Sequence, residues 1–393
     1  MRRPFQFIAR PINKLLLALL LVASALVLLL QQSTMRLSAL APLQIALSNE
    51  TGMTLVLNGH AGTALDWNRI ATSTVLNLTS YSELSPRLFT PYGQSGAEAD
   101  FLSKTIGKSI CETFNHVVVI DTNPDARFLL KMMVDGNCRE DMRVLMISTN
   151  RFDYDVIDRW DYHNLIRKVA KTLPTRVLWV ANNPWESQYA IQRLGGVFLD
   201  YHMIRPFGYS SLPAPPAPPP AVAKLPVLFQ YSNTVHFASV LSSAGIPFHH
   251  LPKHYGGPAA LRQYRAVLMI PYQASTMKMY ENIAHGVVML VPSPRLLGFL
   301  ISGPGYELSA AGKTFDVAGG VAGYKYIECY NDDLKDFFYT FDSLADLKRI
   351  LASDVIDTRN VRKNGPVYWE GVRERGRSDW RRVFAEFYPD GAM

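Results

Sequence analysis

The chain has 393 residues, 48% of them hydrophobic and 19% charged, which excludes a disordered chain and leaves room for two domains of ordinary size. Its net charge of +7 comes from scattered basic residues that cluster only near Arg373–Arg382. That falls short of a nucleic-acid footprint, so no nucleic-acid partner is expected.

Leu15–Leu30 is an unbroken apolar run. As a helix it spans about 24 Å, short for a hydrocarbon core of about 30 Å but suited to the thinner membranes of the early secretory pathway. Arg2, Arg3, Arg10 and Lys14 precede it, and only Arg36 closely follows. The positive-inside rule then keeps residues 1–14 cytosolic and sends the remainder into a lumen. The expectation is a single-pass type II protein of the Golgi or ER membrane, held by a signal-anchor at 15–30 and a stem at 31–50. The alternative is a signal peptide cleaved near Ala39–Ala41, which also delivers the chain to a lumen. Asn49-Glu50-Thr51 and Asn77-Leu78-Thr79 fit the N-glycosylation pattern and agree with that address. Cys111, Cys138 and Cys329 lack metal-ligand spacing; an oxidising lumen permits one disulfide, with Cys111 and Cys138 closest in sequence and three pairings open.

Met53–Asn58 reads as a first strand and Leu65–Gln94 as long irregular connections. A helix is predicted over Glu98–Phe114, from Leu102, Ile106, Ile110 and Phe114 at spacings of four. Strands at His116–Asp121, Arg143–Ser148, Arg176–Ala181 and Val197–Leu199 then alternate with helices at Asp125–Val134, Asp158–Lys171 and Pro184–Leu194. Such alternation means a parallel sheet covered on both faces. The proline-rich stretch 212–226 reads as a stiff linker. It separates an N-terminal Rossmann-like domain (51–211) from a C-terminal one (227–360) that repeats the rhythm, with strands at Leu225–Gln230 and Ile246–His249 and helices at Val235–Ser243 and Pro258–Tyr264. Leu334–Leu351 reads as one or two helices, and a helical tail occupies 361–393.

The loops after the strands carry the polar sets. Asp121-Thr122-Asn123-Pro124 reads mainly as a turn and helix cap. Asn150, Arg151 and Asp153 share the next loop, where Asp153 is a candidate general base or one half of a structural Arg–Asp pair. Asp153-Tyr154-Asp155 is also a D-x-D, the only feature that would bring in Mg²⁺ or Mn²⁺, as in a metal-dependent GT-A enzyme. Otherwise neither metal nor other cofactor is expected. Asn182, Asn183, Trp185 and Glu186 form a sugar-binding set, with Asn183 also a natural cap for the helix from Pro184 and Glu186 a rival base. Tyr231 and Ser232 line the facing side of the cleft.

The stretch Ala266–Ser293 reads as strand, turn, helix and strand. Pro271 closes the first strand, and Tyr272 and Gln273 lead into the turn. Ser275 or Thr276 caps a helix that opens at Met277 and ends at Gly286. A helix N-terminus at the carboxyl end of a parallel strand is a place for a diphosphate, and Glu281, one turn on, for hydroxyls of a ribose or sugar. An ordinary βαβ unit with a surface glutamate has the same spacing.

The run from Glu281 through Asn282-Ile283-Ala284-His285-Gly286 to Pro292 resembles the donor-site signature of GT-B glycosyltransferases. The resemblance covers about thirty residues. One departure is Val287, where many members have proline. It implies two Rossmann-like domains behind the anchor, a nucleotide-sugar donor held by Tyr272, Gln273, Ser275, Thr276, Met277 and Glu281, and a C-terminal helix that crosses back onto the first domain. The function it implies is transfer of a sugar from a nucleotide-sugar to a glycan, protein or lipid hydroxyl in the secretory-pathway lumen. The alternatives are a non-catalytic lumenal binding or scaffold protein on the same fold, and the D-x-D enzyme.

Overall fold

The structure, a computed structural model, describes residues 54–58, 61–73, 82–84, 95–121, 123–149, 151–210, 213, 215–229, 232–252, 254–271, 273–302 and 326–389. The apolar run 15–30, the stem and both glycosylation sites, Asn49 and Asn77, lie outside them. Among the described residues no helix is long and apolar enough to cross a membrane.

Short apolar runs dictate the strands. In β3 (His116–Asp121), β4 (Arg143–Ser148) and β5 (Val177–Ala181), every residue after the first of β3 and β4, and all of β5, is buried. This is the pattern of strands covered on both faces. They pair in parallel with β1 (Thr54–Asn58), β2 (Ser82–Leu84) and β6 (Tyr201–Met203) in the order β2-β1-β3-β4-β5-β6. The second sheet holds β7 (Pro226–Phe229), β8 (His249–Leu251), β9 (Ala266–Leu268), β10 (Met289–Pro292) and β11 (Phe338–Phe341) in the order β11-β10-β9-β7-β8, again all parallel. Both sheets reverse direction of growth beside their first strand, between β1 and β3 and between β7 and β9. In open α/β sheets that reversal opens a crevice at the carboxyl ends of the strands. The chain is thus α/β with two Rossmann-like sheets.

The helices are α1 (Ala61–Ser73), α2 (Gly96–Leu102), α3 (Lys108–Thr113), α4 (Arg127–Val134), α5 (Arg159–Thr172), α6 (Pro184–Arg193), α7 (Pro220–Ala223), α8 (Ser232–Ser243), α9 (Gly257–Leu261), α10 (Met277–Ala284), α11 (Pro294–Ser302), α12 (Leu344–Ala352) and α13 (Thr358–Phe387). Three expectations are corrected. The stretch Leu65–Gln94 is not wholly irregular: most of α1 lies in it, burying Thr63, Asp66, Trp67 and Ile70 along one face. Val197–Leu199 is not a strand; the pairing edge is Tyr201–Met203. Leu334–Leu351 is not all helix, because Phe338-Tyr339-Thr340-Phe341 is β-prone and pairs with β10 before α12 begins. A smaller correction falls in the linker, where Pro220–Ala223 is one helical turn.

The last helix joins the halves. Val361, Trp369 and Val372 belong to the core under the second sheet. Trp380, Val383, Phe384 and Phe387, further along α13, belong to the core under the first. Where α13 crosses the end of α10, two glycines meet. A Cβ on Gly365 would stand 2.6 Å from the Ile283 carbonyl oxygen, and one on Gly286 2.7 Å from Arg362 Cα. Gly286 also has φ +67, so it both ends α10 and admits α13.

Candidate active site

The carboxyl edges of the two sheets meet at a cleft. On the second half, Thr276 caps α10: its Oγ1 accepts from Met279 N–H at 3.2 Å. The first N–H groups of a helix have no partner within it and can turn to a ligand. Lys278 donates to Glu281 Oε2 at 3.0 Å and lies 5.1 Å from the centre of the Tyr255 ring. Burial lowers the pKa of Lys278, while the Glu281 carboxylate works to keep it charged. The face therefore offers helix N–H groups, one cation and one carboxylate within a single turn.

Not every predicted donor residue is available. Ser275 is buried, and its Oγ accepts from Asn183 Nδ2 at 2.8 Å. It ties the turn to the first half instead of facing a ligand. Glu328 N–H reaches the Ala274 carbonyl at 2.9 Å and holds the turn from behind. Gln273 sits half-buried in the bend. Tyr272, Asn150 and Tyr231 lie outside the described residues, and Ser232 is the first residue of α8.

The two carboxylates proposed as bases are both walled in. Asp153 is fully buried. It accepts from the Tyr189 hydroxyl at 3.1 Å, bonds His163 Nε2 at 2.9 Å and has Arg151 Nε at 3.7 Å. Burial alone would raise its pKa; the His163 hydrogen bond and the Arg151 charge outweigh that and lower it. Both of its oxygens are engaged by these neighbours. The D-x-D loses its first oxygen pair to these partners, and Asp155 occupies a left-handed turn at φ +59. Trp185 is also buried, stacked on Tyr189 with ring centres 4.8 Å apart, so its indole face is not open to a sugar. Glu186 is buried beneath the Asn183 cap, its pKa pushed up to about 8, first by burial and then by Asp153 and Asp121, against the pull of Arg151. Its Oε2 finds no partner, and burial of that oxygen favours the neutral form of the acid. Arg151 is equally buried, 5.7 Å from the centre of the Tyr189 ring. Asn182 does reach the cleft, while its carbonyl accepts from the Tyr280 hydroxyl of α10 at 3.2 Å.

The residue that sequence reasoning misses is Asp66. It lines a pocket of ≈ 20 Å³ between the halves, bordered by α1, the ends of β3 and β4, Asn182, Met277 and Trp380. That volume suits one water or one hydroxyl. Asp66 Oδ2 accepts from Phe207 N–H at 3.0 Å, and its Oδ1 is buried with no partner. Burial raises its pKa to about 6; the Phe207 and Gly208 amides and Arg373 pull it down, and Glu281 pushes it up. Asp121, also bordering this end of the sheet, takes φ +75 at the end of β3 and accepts from Thr149 Oγ1. A positive φ outside glycine is uncommon, and such residues gather at functional sites.

A signal for Asp66 is present in the sequence. Thr63, Asp66, Trp67 and Ile70 stand at helical spacing directly after the first predicted strand, where a βα unit places the start of its helix at the carboxyl edge.

No protein-family model matches the chain, and no curated protein matches it. Among solved structures the chain is similar to one titled "Crystal Structure Analysis of the Glycotransferase of kitacinnamycin". The identity is 10%, the match covers 86% of this chain and 99% of that one, and the TM-score is 0.44. A likeness that distant leaves the functional case to the residues of the cleft.

Proposed function

We propose that the protein is a metal-independent glycosyltransferase that moves a sugar from a nucleotide-sugar to an acceptor hydroxyl. The observation that carries this reading is the pairing across the cleft of the α10 N-terminus, with Lys278 and Glu281, and the orphaned Asp66 oxygen in a hydroxyl-sized pocket. The donor diphosphate lies on the α10 N–H groups, and Glu281 takes hydroxyls of the ribose or sugar. The acceptor hydroxyl enters the pocket and gives its proton to Asp66 Oδ1. The acceptor oxygen forms the new bond to the anomeric carbon, and the bond from that carbon to the diphosphate breaks with its electron pair going to the diphosphate. Helix N–H groups and Lys278 stabilise that leaving charge. A carboxylate with a pKa near 6 is close to the operating range of a general base. The basic flank before the apolar run at 15–30 supports an anchored lumenal enzyme, whose acceptor is a glycan, protein or lipid.

The full chain is incubated with a panel of nucleotide-sugars, with and without EDTA, while nucleotide release is followed. Release from one donor that survives EDTA, falls in Glu281→Ala and falls in Asp66→Asn supports the reading. Release that is lost in EDTA moves the chemistry to the Asp153–Asp155 pair. No release, with no thermal shift by any nucleotide, leaves a binding protein on this fold.

A further inference from the structure

A second concavity lies away from the cleft, on the helical face of the first sheet. It is a groove of ≈ 690 Å³ between α2, α4 and α5. The volume is that of a small-molecule site. It begins at the first turns of α4 and α5, near Arg127 and Trp160, and runs towards their ends, near Val134 and Lys168. First turns of helices that follow parallel strands lie at the carboxyl edge of the sheet. The groove therefore starts at the edge that carries the cleft.

Its chemistry narrows the ligand. Trp160, in the first turn of α5, is 75% exposed, although the same helix buries Tyr162, Ile166 and Val169. Ala99, Val134 and Leu165 add apolar surface, and Asp161 and Asn164 offer polar groups beside the indole. The cations present are largely compensated. Arg127 donates to Asp158 Oδ2 at 2.9 Å, and Lys131 pairs with Asp100. Arg167 donates to Asn164 Oδ1 at 2.7 Å and to the Leu194 carbonyl at 2.9 Å. Lys168 also lines the groove, together with the carboxylates of Asp135 and Asp161. A phosphate or a polyanion gains little from cations already bonded to carboxylates and carbonyls. A neutral ligand rich in hydroxyls, with one apolar ring face, fits an open indole flanked by carboxylate and amide groups.

The walls are held in place before any ligand arrives. α2 runs through a π-turn at Ser103–Gly107 into α3, and the disulfide Cys111–Cys138 ties α3 to the segment that follows α4. Two of the three walls are thus stapled to each other, which lowers the ordering cost of binding.

We propose that this groove is an accessory carbohydrate site that holds a neutral oligosaccharide portion of the acceptor, with one sugar ring stacked on Trp160. It rests on the glycosyltransferase reading only for the word acceptor; the binding itself is independent of turnover.

The test applies the full chain to an array of neutral, sialylated and sulfated oligosaccharides. The expected result is retention of neutral oligosaccharides, weakened about five-fold in Trp160→Ala and largely kept in Trp160→Phe, since an aromatic face is worth about 1 kcal/mol. Opening the disulfide with a reductant is expected to weaken retention as well. No retained glycan, retention indifferent to Trp160→Ala, or preference for sulfated glycans overturns the site. Nucleotide-dependent stabilisation measured on the same preparation separates the two ideas. Stabilisation without glycan binding removes the groove and keeps the transferase, and glycan binding without stabilisation does the reverse.

Discussion

Asp66 is the residue on which stability and chemistry pull in opposite directions. Its folded pKa of about 6 lies above the ordinary aspartate value of 3.8, so the native state prefers the protonated form. Its contribution to stability is then fully present below pH about 4 and is lost as pH rises through about 6. A rise from 3.8 to about 6 on a fully buried group amounts to roughly 3 kcal/mol at neutral pH. Asp66→Asn keeps an acceptor for Phe207 N–H and removes the charge. The variant should therefore melt higher than the parent at pH 7.5, by a margin that shrinks towards pH 4, and should have lost most of its turnover. In the parent, kcat/KM should fall as pH drops below about 6, the range in which Asp66 takes up its proton. A stability gap that does not change with pH would mean Asp66 is already ionised without strain. Asp153 makes the opposite case. Removing its charge leaves Arg151 buried without that carboxylate, so Asp153→Asn should cost about 3 kcal/mol of stability. Thermal melts and single-turnover rates distinguish the two: a variant that melts like the parent but no longer transfers would restore Asp153 as the base.

At the scale of elements, the sequence shows most plainly what a single periodicity decides. Val117–Ile120, Val144–Ile147 and Val177–Ala181 are continuous apolar runs, and these strands form within a residue of where composition places them. The central unit is legible for the same reason, with Thr276 as cap and Gly286 as stop. α1 is hidden because Ser and Thr residues near its end and beyond dilute the pattern, and β11 because its four residues sit between two helical stretches. The site is less legible than the fold. Trp185 and Asp153 are residue types that bind sugars on a surface, but burial against Tyr189 turns both inward, and no local pattern reports that. The glycine of the donor-type motif carries a role that its own neighbours do not reveal. Gly286 and Gly365, 79 positions apart in sequence, let α10 and α13 cross nearly backbone to backbone. Gly365→Val should force that crossing open, at a cost of about 3 kcal/mol. Because Gly365 contacts the C-terminal end of α10 and not its N-terminus, a variant that still folds should bind nucleotide. A melting temperature equal to the parent's would show that the helices do not depend on this contact.

At the scale of the whole molecule, the two cores share one helix and one buried ion pair. Arg205, on the strap leaving the first sheet, donates from Nε to Glu328 Oε1 at 3.0 Å, and Glu328 is fully buried in the second half. Burial raises the pKa of Glu328, and Arg205 pulls it part of the way back. Arg205→Ala removes that pull and leaves a buried carboxylate facing no cation, a loss of about 3–5 kcal/mol. The sign of its pH dependence follows. With the folded pKa raised further above the unfolded value, stability is kept at acid pH, where Glu328 is neutral, and is lost as pH rises. The variant should then approach the parent at pH 5 and fall furthest behind at pH 8. Glu328→Gln in the same chain should recover much of the loss at pH 8, since a neutral amide needs no counter-charge. Because Trp369 and Trp380 sit in different cores on the one helix α13, the two halves should also unfold in a single transition. Melts of the two variants at both pH values, followed by tryptophan fluorescence and by circular dichroism, check both points. Two separated transitions would show that the halves unfold independently despite α13, and a deficit that does not change with pH would show that the Arg205–Glu328 pair contributes nothing to holding them together.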